Sequence, residues 1–486
     1  MTGRCKVKIW KYELYSRLPL SNKGIPMKKR VYMFSIMLTT GLAVFSFHQQ
    51  ALQAQTISPV TAEAKMTPSP PRTIKEGETL TLAKVVAITR QNQPAILAAK
   101  GNVNASQSRI GQAKSFYYPQ INGSTSYDRL SPGGTMYGTS DDSAYNQLAV
   151  AMNGSQLLFD FGKTKTQVEI QKTSFEAARS DLNAADDRSV FNAKLAYYDI
   201  LKIARNKKVA IETVKQFEQH LAQAKGFFEA GVKPKYDVTK AEVDLSHAKL
   251  LQIQVENTLR LARVVLNNAM GLPAAPDYQL EDTLTSVKFT LPYEQALGLA
   301  MDHRPDLKAL VLRKQTAQQS VDLARKGDMP ILSGNAGAGY SGDADTMDEG
   351  WSAGIAITVP IFNGHLTRHQ IGEAQANAVI LAANVTALQQ SIHKDVQQSY
   401  LNLQEAEERI AVTQLTIEQA KENSRIASGR YSAGVGSPIE VTDADILLVQ
   451  AKADHIQALY DYRIAQTSIE QSIGMTGENS LTTKTE

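Results

Sequence analysis

The sequence predicts an α+β protein made of two copies of one unit, in which long helical hairpins are joined to pairs of strands. The first observation is a repeat, since AGVKPKYDVTKAEVDL (Ala230–Leu245) returns 203 positions later as AGVGSPIEVTDADILL (Ala433–Leu448). The second is an alternation of apolar and small residues over Trp351–Ile361, which is the period of a β-strand. The third is a pair of runs without Gly or Pro, 63 residues from Lys163 and 56 residues from Glu373, which predict very long helices.

Residues 1–54 have the features of a leader that precedes the folded part. Met27 to Arg30 supply positive charge, Val31 to Phe47 an apolar core, and ALQAQ a cleavage position after Ala54. This order is typical of a secretory signal peptide. Because a signal peptide begins a protein, we interpret Met27 as the true start and the residues before it as an over-long start. An uncleaved membrane anchor is the alternative, although the apolar core is short for one.

The leader also determines the charge of the chain. The full sequence has a formal charge of +4, but residues 55–486 carry 43 basic and 47 acidic side chains, a charge of −4. The basic character therefore belongs to the leader, and the composition does not favour a nucleic-acid partner. The single cysteine, Cys5, lies in the leader as well, so the processed chain is predicted to have no disulfide.

The two copies align far beyond the opening repeat. Phe159 and Phe362 coincide at the offset of 203, whereas Pro119 and Pro330 coincide at an offset of 211, so the first copy holds eight extra residues between Pro119 and Phe159. Two copies are too few for a solenoid. The predicted segments are a Pro-rich stretch (55–79), repeat 1 (80–273), a linker (274–292), repeat 2 (293–474) and a polar tail (475–486).

Each repeat begins with an Ala-rich helical stretch, which is followed by two strands. The helical stretches are predicted at Leu82–Lys114 and Tyr293–Lys326, and the strands at Ile121–Tyr127, Leu148–Met152, Leu332–Tyr340 and Trp351–Ile361. The segment GNAGAG (Gly334–Gly339) falls within a strand, opens no helix and lacks the Lys-Ser/Thr ending, so a phosphate-binding loop is not predicted.

The long runs are predicted to form hairpins of two helices. Apolar residues of the second run step by threes, fours and sevens, at Val385, Leu388, Ile392, Val396, Leu403, Ile410 and Ile417. This spacing is typical of a coiled-coil seam. The Ala-Gly-Val turn ends each run, because Gly supplies a left-handed helix cap and Pro then starts the returning helix. Both tips are therefore expected at the same end of the molecule.

The strands have the length that a tilted β-strand needs to cross a bilayer, about ten residues. Four strands cannot close a barrel, and open edges are not tolerated in hydrocarbon. The sequence therefore predicts a homotrimer with a 12-stranded transmembrane β-barrel, an allowed even number. The side chains predicted to face lipid are Trp351, Ile355, Ile357 and Val359.

The duplicated order of elements, the strand ends LLFDFG (Leu157–Gly162) and PIFNG (Pro360–Gly364), and the paired AGV…VT tips resemble the TolC-type outer-membrane efflux proteins. The resemblance covers the chain from about Leu80 to Gly474. It implies a trimeric outer-membrane β-barrel continued by a periplasmic α-barrel. It also implies a passive exit duct, of an efflux or type I secretion system, that is joined to an inner-membrane transporter through a periplasmic adaptor.

The resemblance further implies that the adaptor binds at the helical tips. In the second repeat this pattern falls on Ala433, Gly434, Val435, Gly436 and Ser437. In the first repeat it falls on Ala230, Gly231 and Val232, where Lys233 and Pro234 depart from it and make equal adaptor contact at both tips doubtful. The alternative for the glycines is that they only end the helices.

Charged residues near the tips are candidates for a gate. In a trimer, any charge that points inward becomes a ring of like charges. The second hairpin carries Glu418, Glu422, Asp443 and Asp445 where the first carries Lys215, Gln219, Lys240 and Glu242. We therefore predict salt links from these acids to Lys215 and Lys240 that hold the duct narrow. Ordinary solvated helix faces are the alternative.

No catalytic or cofactor site is predicted. His365 and His369 have a spacing that could bind a metal, but no third ligand is near in the sequence, so a solvated helix face is favoured. No Ser-His-Asp or paired-carboxylate grouping can be argued from the order of residues. The alternative to an export duct is a soluble periplasmic coiled-coil adaptor or scaffold. The apolar strand faces argue against it, since a soluble rod has no use for them.

Overall fold

The computed structural model describes residues 73–130, 145–285, 289–343 and 346–476. The predicted leader, most of the Pro-rich stretch and nearly all of the polar tail lie outside these residues. The helices are α1 (Leu82–Asn92), α2 (Pro94–Ser115), α3 (Lys163–Glu229), α4 (Lys235–Ala269), α5 (Tyr293–His303), α6 (Pro305–Arg325), α7 (Leu366–Ser432) and α8 (Pro438–Ser472). The strands are β1 (Glu78–Leu80), β2 (Gln120–Leu130), β3 (Tyr145–Phe159), β4 (Tyr278–Leu280), β5 (Ile331–Asp343) and β6 (Thr346–Thr358).

The two halves of the chain repeat the same elements. Helices α3 and α7 each contain 67 residues and begin 203 positions apart, and α4 and α8 each contain 35 residues at the same offset. A helix of this length reaches about 100 Å. Within the described residues, no helix combines the length and the apolarity that a membrane-spanning helix requires.

The helices pack side by side. Near the strands α2, α3, α6 and α7 are neighbours in that order, and nearer the tips the order is α4, α3, α8 and α7. The two larger apolar clusters lie where the short helices meet the long ones, the first around Tyr197 and Leu266 and the second around Ile392 and Ile469. Most of the predicted seam is buried there, including Val385, Val396 and Leu403.

Each predicted Ala-rich helix is in fact two helices. The first breaks at Gln93 and the second at Arg304, and in both cases a proline is the first residue of the next helix. The ring of proline excludes the helical conformation from the residue before it, so Gln93 takes ψ 120° and Arg304 takes ψ 117°. The break was not predicted, because the alanine content continues through it.

The break forms a tight joint with the end of the returning helix. Gly271 follows α4 in the left-handed conformation, with φ 72°, and a Cβ at this position would lie 2.6 Å from the carbonyl oxygen of Asn92. The second repeat makes the same joint, since Gly474 has φ 71° and its Cβ would lie 3.0 Å from the Cα of Arg304. Glycine is needed at both positions because it lacks the Cβ.

Two equivalent tyrosines fasten the linker between the repeats. The hydroxyl of Tyr197 donates to the carbonyl of Glu281 at 2.6 Å, and that of Tyr400 donates to the carbonyl of Leu291 at 2.5 Å. Burial raises the pKa of both phenols to about 12, so both remain protonated donors at neutral pH. Strand β4 lies in the same linker, shortly before Glu281. It pairs in parallel with β1, with Glu78 opposite Tyr278.

The other four strands form one antiparallel sheet in the order β2, β3, β5, β6. Its two hairpins are equivalent, since Gln120 pairs with Ser155 and Ile331 pairs with Thr358. This equivalence assigns the eight extra residues of repeat 1 to the connection 131–144, which lies outside the described residues. Strands β2 and β6 are the edges of the sheet.

The last strand begins and ends earlier than the sequence predicts. It ends at Thr358, so Val359, which was predicted to be a strand residue facing lipid, lies just beyond it and is exposed. Pro360 has no amide hydrogen to donate to a neighbour, and among the described strands none pairs with the outer edge of β6. Both features favour an end of β6 before Pro360.

Candidate functional sites in the strand sheet and at the helical tips

One face of the sheet is largely apolar across all four strands, and the polar side chains on it are Thr125, Arg129, Asn146, Gln156 and Glu349. Residues that lie directly opposite each other on paired strands project to the same face. From the pairing register, this face carries Ile121, Tyr127, Leu148, Val150, Met152, Leu332, Tyr340, Trp351, Ile355 and Ile357. Ile355 is 73% exposed and Trp351 71%, so none of the described residues covers these two side chains.

The opposite face consists mostly of polar and small residues, with Leu130, Leu157 and Ile331 as apolar exceptions near its ends. It carries Asn122, Ser124, Ser126, Asp128, Gln147, Asn153, Ser155, Ser333, Asn335, Ser341, Asp348, Ser352 and Thr358, with alanines and glycines between them. A sheet with one apolar and one polar face is what separates a nonpolar medium from water. In a transmembrane barrel the apolar face is outside and the polar face lines the interior.

Aromatic side chains mark both ends of the apolar face. Exposed rings cluster where the strands meet the helices, at Phe116, Tyr117, Tyr118, Phe159, Phe161 and Phe362, and a second group lies towards the connections, at Tyr127, Tyr340 and Trp351. Tyr340 is opposite Val150, nine residues along β3 from Phe159. That is about 30 Å along the strand, or about 23 Å across a membrane at a 40° tilt, close to the apolar band of outer-membrane barrels.

The tips of the two hairpins have the same turn. Gly231 and Gly434 take φ 72° and 78°, and their amides donate to Phe228 and Tyr431, respectively. The next amides, of Val232 and Val435, reach back to the carbonyls of Phe227 and Arg430. These two backbone hydrogen bonds form the Schellman motif. Glycine is favoured in this motif because only glycine takes the left-handed conformation without strain.

The two tips touch each other. The Nζ of Lys233 lies 3.4 Å from the carbonyl oxygens of Gly434 and Gly436, and the ring of Phe227 packs edge-on against Tyr431. Lys233, whose presence in the first tip seemed to weaken it as a docking surface, therefore joins the first tip to the second.

The predicted docking residues divide into exposed and buried ones. Ala230, Gly231, Val232, Ala433, Gly434 and Val435 are exposed. Gly436 is buried, and a Cβ there would lie 2.6 Å from the amide nitrogen of Tyr431. Its absent side chain lets the turn close against its own helix, so the prediction of Gly436 as a contact for a partner is corrected. Ser437 is half-buried, and its hydroxyl caps α8 by accepting from the amide of Ile439.

The predicted salt links between the hairpins do not form within one chain. Glu422 pairs with Arg425 on its own helix at 2.6 Å, and Arg425 lowers the pKa of that carboxyl. Lys240 pairs with Asp244, also on its own helix, at 2.5 Å. Lys215, Glu418 and Asp443 are exposed. Among the described ion pairs, none joins Lys215 or Lys240 to the second hairpin; for Lys240 the nearer partner is Asp244, one turn away.

Asp445 is buried within the chain. It is 1% exposed, and its carboxylate accepts from Gln216 and Ser424 at 2.6 Å and contacts Nε2 of His220 at 2.9 Å. These groups come from three helices, α3, α7 and α8. The prediction that Asp445 belongs to a ring of pore charges is therefore wrong, because three neighbours enclose its carboxylate.

The histidine pair does not assemble a metal site. His365 is the N-cap of α7 with φ 64°, its ring lies 5.8 Å from that of Phe362, and both His365 and His369 are exposed. Within the described residues, no group of three His, Cys, Asp or Glu side chains has a metal-binding arrangement.

The amphipathic sheet and the helical hairpins that continue from it define the chain as a subunit of a membrane channel. The sequence profile of the outer membrane efflux protein family matches residues 85–272 and again 296–475, once in each repeat. The chain belongs to this family. It is an outer-membrane efflux channel whose helical part extends into the periplasm, and the alternative of a soluble adaptor or scaffold is set aside.

Individual relatives agree with this assignment. The chain is 21% identical to the outer membrane protein TolC of Vibrio cholerae over 411 residues, which is 82% of this chain and 92% of that protein. It is 23% identical to the outer membrane efflux protein BepC of Brucella suis, covering 79% of this chain and 84% of the relative. The crystal structure of the Campylobacter jejuni CmeC outer membrane channel superimposes with a TM-score of 0.73 at 19% identity, over 82% of this chain and 86% of that one.

Proposed function

We propose that three copies of the chain form a passive exit duct, with a 12-stranded β-barrel in the outer membrane and an α-barrel made from the hairpins in the periplasm. The observation that carries this proposal is the four-stranded sheet with one apolar face and two open edges. An open edge in hydrocarbon leaves backbone groups unpaired at a cost of several kcal/mol each. Closure by further copies removes that cost, and three copies give an even number of strands.

The interior of such a barrel would be lined by serine, asparagine and glycine, and no catalytic machinery is needed for passage. Trp351, Ile355 and Ile357 then face lipid. Energy would come from an inner-membrane transporter that is joined to the duct through a periplasmic adaptor. In this role the duct acts on no substrate chemically and requires no cofactor.

Reconstitution tests the proposed function. The protein extracted from outer membranes should migrate as an oligomer of three chains and should insert into planar lipid bilayers as discrete, ohmic conductance steps. The polar face of the sheet provides the conducting wall. Recovery as a soluble monomer that produces no conductance would contradict the proposal.

We further propose that the exposed part of the tips binds the adaptor. Val435 is 71% exposed and Val232 61%, and both stand at the far ends of the hairpins. Val435→Asp should reduce export strongly, because burying a carboxylate in an apolar contact costs about 2 kcal/mol or more. Efflux assays and cross-linking to the adaptor from Ser437→Cys would measure this.

The matched change at the other tip is Val232→Asp. It should reduce export less than Val435→Asp does, because Lys233 and Pro234 make the first tip depart from the docking pattern. Both variants should still form trimers. Normal adaptor capture by Val435→Asp would show that the second tip is not the docking surface.

We propose that the exposed acids Glu418, Glu422 and Asp443 contribute to a gate and that the buried Asp445 does not. Three copies of Asp443 near one axis would attract cations. Asp443→Asn is therefore expected to lower the preference for cations in planar-bilayer recordings, by about 1 kcal/mol or a few-fold. Asp454→Asn, an exposed acid three turns further along α8, is the control. Equal ion selectivity in Asp443→Asn and the wild type would remove Asp443 from the gate.

A further inference from the structure

A band of basic side chains lies beside the aromatic rings at the junction between the strands and the helices. The chain passes through this junction in four segments, 113–118, 160–168, 325–330 and 361–369. They contain six basic and two acidic residues, a formal charge of +4, whereas residues 55–486 as a whole have a charge of −4. We call the six bases the basic belt, and its members are Lys114, Lys163, Lys165, Arg325, Lys326 and Arg368.

Four bases of the belt are duplicated together with the fold. Lys165 and Arg368 coincide at the offset of 203, and Lys114 and Arg325 coincide at the offset of 211. Each repeat therefore has one base in the last turn of the helix before its strands and one in the first turn of the helix after them. Three copies of the chain would repeat this arrangement around the whole circumference of the channel.

The stability of the helices does not account for the bases in the first turns. The N-terminus of a helix carries a partial positive charge, which favours acids there and disfavours Lys and Arg. Neither α3 nor α7 has an acid in its first turn, yet Lys165 and Arg368 are each the third residue of their helix. Lys114 and Arg325 suit the last turns in which they lie, but Lys165 and Arg368 need another explanation.

The protein itself offers these bases few partners. Lys114, Lys165 and Arg368 are exposed, and none of them takes part in an ion pair with another described residue. The two acids of the junction are engaged elsewhere, at 2.6–3.0 Å. Asp160 accepts from two backbone amides at the start of α3, and Asp328 accepts from two side chains near the start of α7. The positive charge of the belt is therefore not neutralised locally.

The belt lies at the depth expected for lipid headgroups. The exposed rings of Phe116 and Phe161 mark the end of the apolar face, and the headgroup layer extends about 5–8 Å beyond the hydrocarbon on each side of a bilayer. Lys114 is two residues from Phe116, and Lys165 is four residues from Phe161. Four residues of helix rise about 6 Å. The ammonium groups of both lysines can therefore reach phosphate groups at the membrane surface.

We propose that the basic belt binds the phosphate groups of anionic phospholipids in the membrane leaflet next to the helices. Each Lys or Arg close to an anionic membrane surface strengthens binding by about fivefold. The apolar face of the sheet holds the barrel in the hydrocarbon, and the belt fixes the depth at which the helices leave the membrane. The inference rests on the proposed trimeric barrel, because it requires the apolar face to lie in a membrane.

Removal of the three unpaired bases tests the proposal. The belt variant carries Lys114→Gln, Lys165→Gln and Arg368→Gln. The control variant removes the same charge from exposed positions elsewhere on the helices, by Lys208→Gln, Arg260→Gln and Lys308→Gln. Even Lys308 lies 17 residues before Arg325 on α6, which is about 26 Å along the helix.

The measurement is the binding of phosphatidylglycerol to purified trimers in neutral detergent, with the bound lipid counted by native mass spectrometry. The belt variant should bind phosphatidylglycerol at least about tenfold more weakly than the wild type, and the control variant should remain within about twofold of it. The wild type should prefer phosphatidylglycerol to phosphatidylcholine, and this preference should fall in about 0.5 M ammonium acetate because salt screens the attraction.

A third variant separates loss of charge from loss of folding. It carries Lys114→Arg, Lys165→Arg and Arg368→Lys and should bind phosphatidylglycerol as the wild type does, because a lipid surface requires the charge and not one particular side chain. Conductance of all three variants in neutral bilayers confirms that they fold. Loss of binding in the charge-preserving variant would overturn the proposal.

Three other results would also overturn it. The first is equal binding of phosphatidylglycerol by the belt variant and the wild type. The second is complete displacement of the lipid by inorganic phosphate, which would make the belt a site for free anions. The third is a change in ion selectivity without a change in lipid binding, which would place the bases in the channel interior. A monomeric wild type that does not conduct would instead contradict the proposed function.

Discussion

Ile355→Arg is expected to prevent stable insertion of the chain into the outer membrane. Ile355 projects from the apolar face near the middle of the span between Trp351 and Phe362 and is 73% exposed. An arginine on the lipid face of a barrel costs about 2–4 kcal/mol at the bilayer midplane. Because each of three copies would carry this cost, the yield of trimer in the outer-membrane fraction should fall steeply.

The neighbouring change Ala356→Arg is the control. Ala356 belongs to the same strand but projects from the polar face, opposite Ser333. This variant should insert normally, and three added positive charges should reduce the preference of the pore for cations. Denaturant titration of folding into vesicles measures the first variant and planar-bilayer recording the second. Equal insertion of both variants would contradict the assignment of the faces.

Gly271→Ala is expected to destabilise the helical part of the channel strongly. The left-handed conformation of Gly271 costs a residue with a Cβ about 1–2 kcal/mol. The added Cβ would also lie 2.6 Å from the carbonyl oxygen of Asn92, so that the break between α1 and α2 must move. Forced displacement in a packed region costs about 1–3 kcal/mol more. Urea denaturation followed by circular dichroism would measure the total.

Gly231→Ala separates the two causes. Gly231 has the same φ of 72°, but an added Cβ would meet no atom within 4 Å. Gly231→Ala should therefore lower the free energy of unfolding only by the conformational cost, about 1–2 kcal/mol. If Gly271→Ala and Gly231→Ala lower the free energy of unfolding equally, the close approach of Asn92 to Gly271 does not restrict the end of α4.

Much of the architecture could be predicted because it depends on local periodicity and on duplication. The period of two over Trp351–Ile361 predicted a strand that β6 contains as far as Thr358, and the absence of Gly and Pro after Lys163 allows an uninterrupted helix. The tip turns at Gly231 and Gly434 were also predictable, since the left-handed cap is formed by residues adjacent in the chain. The repeat then extended each local conclusion to the other half of the chain.

The gate could not be predicted in the same way. A charge pattern does not reveal which acid is buried, and Asp445 appeared equivalent to Asp443, two residues away. In the structure Asp445 is enclosed by His220, which is 225 positions away in the sequence, whereas Asp443 is exposed. Likewise, Gly436 resembled Gly434 in the sequence, but in the structure Arg430 and the backbone of Tyr431 leave it no room for a side chain.

The sequence by itself determined the duplication, the long hairpins, the strand periodicity and the family that the chain resembles, because each of these is encoded in residues close together or in a fixed offset. Only the tertiary structure decided which groups meet. It united one apolar face from Ile121, Val150 and Ile355 on separate strands, and it buried Asp445 among three helices. The physical reason is that such contacts depend on register and helix packing between segments about 200 residues apart, which no local pattern specifies.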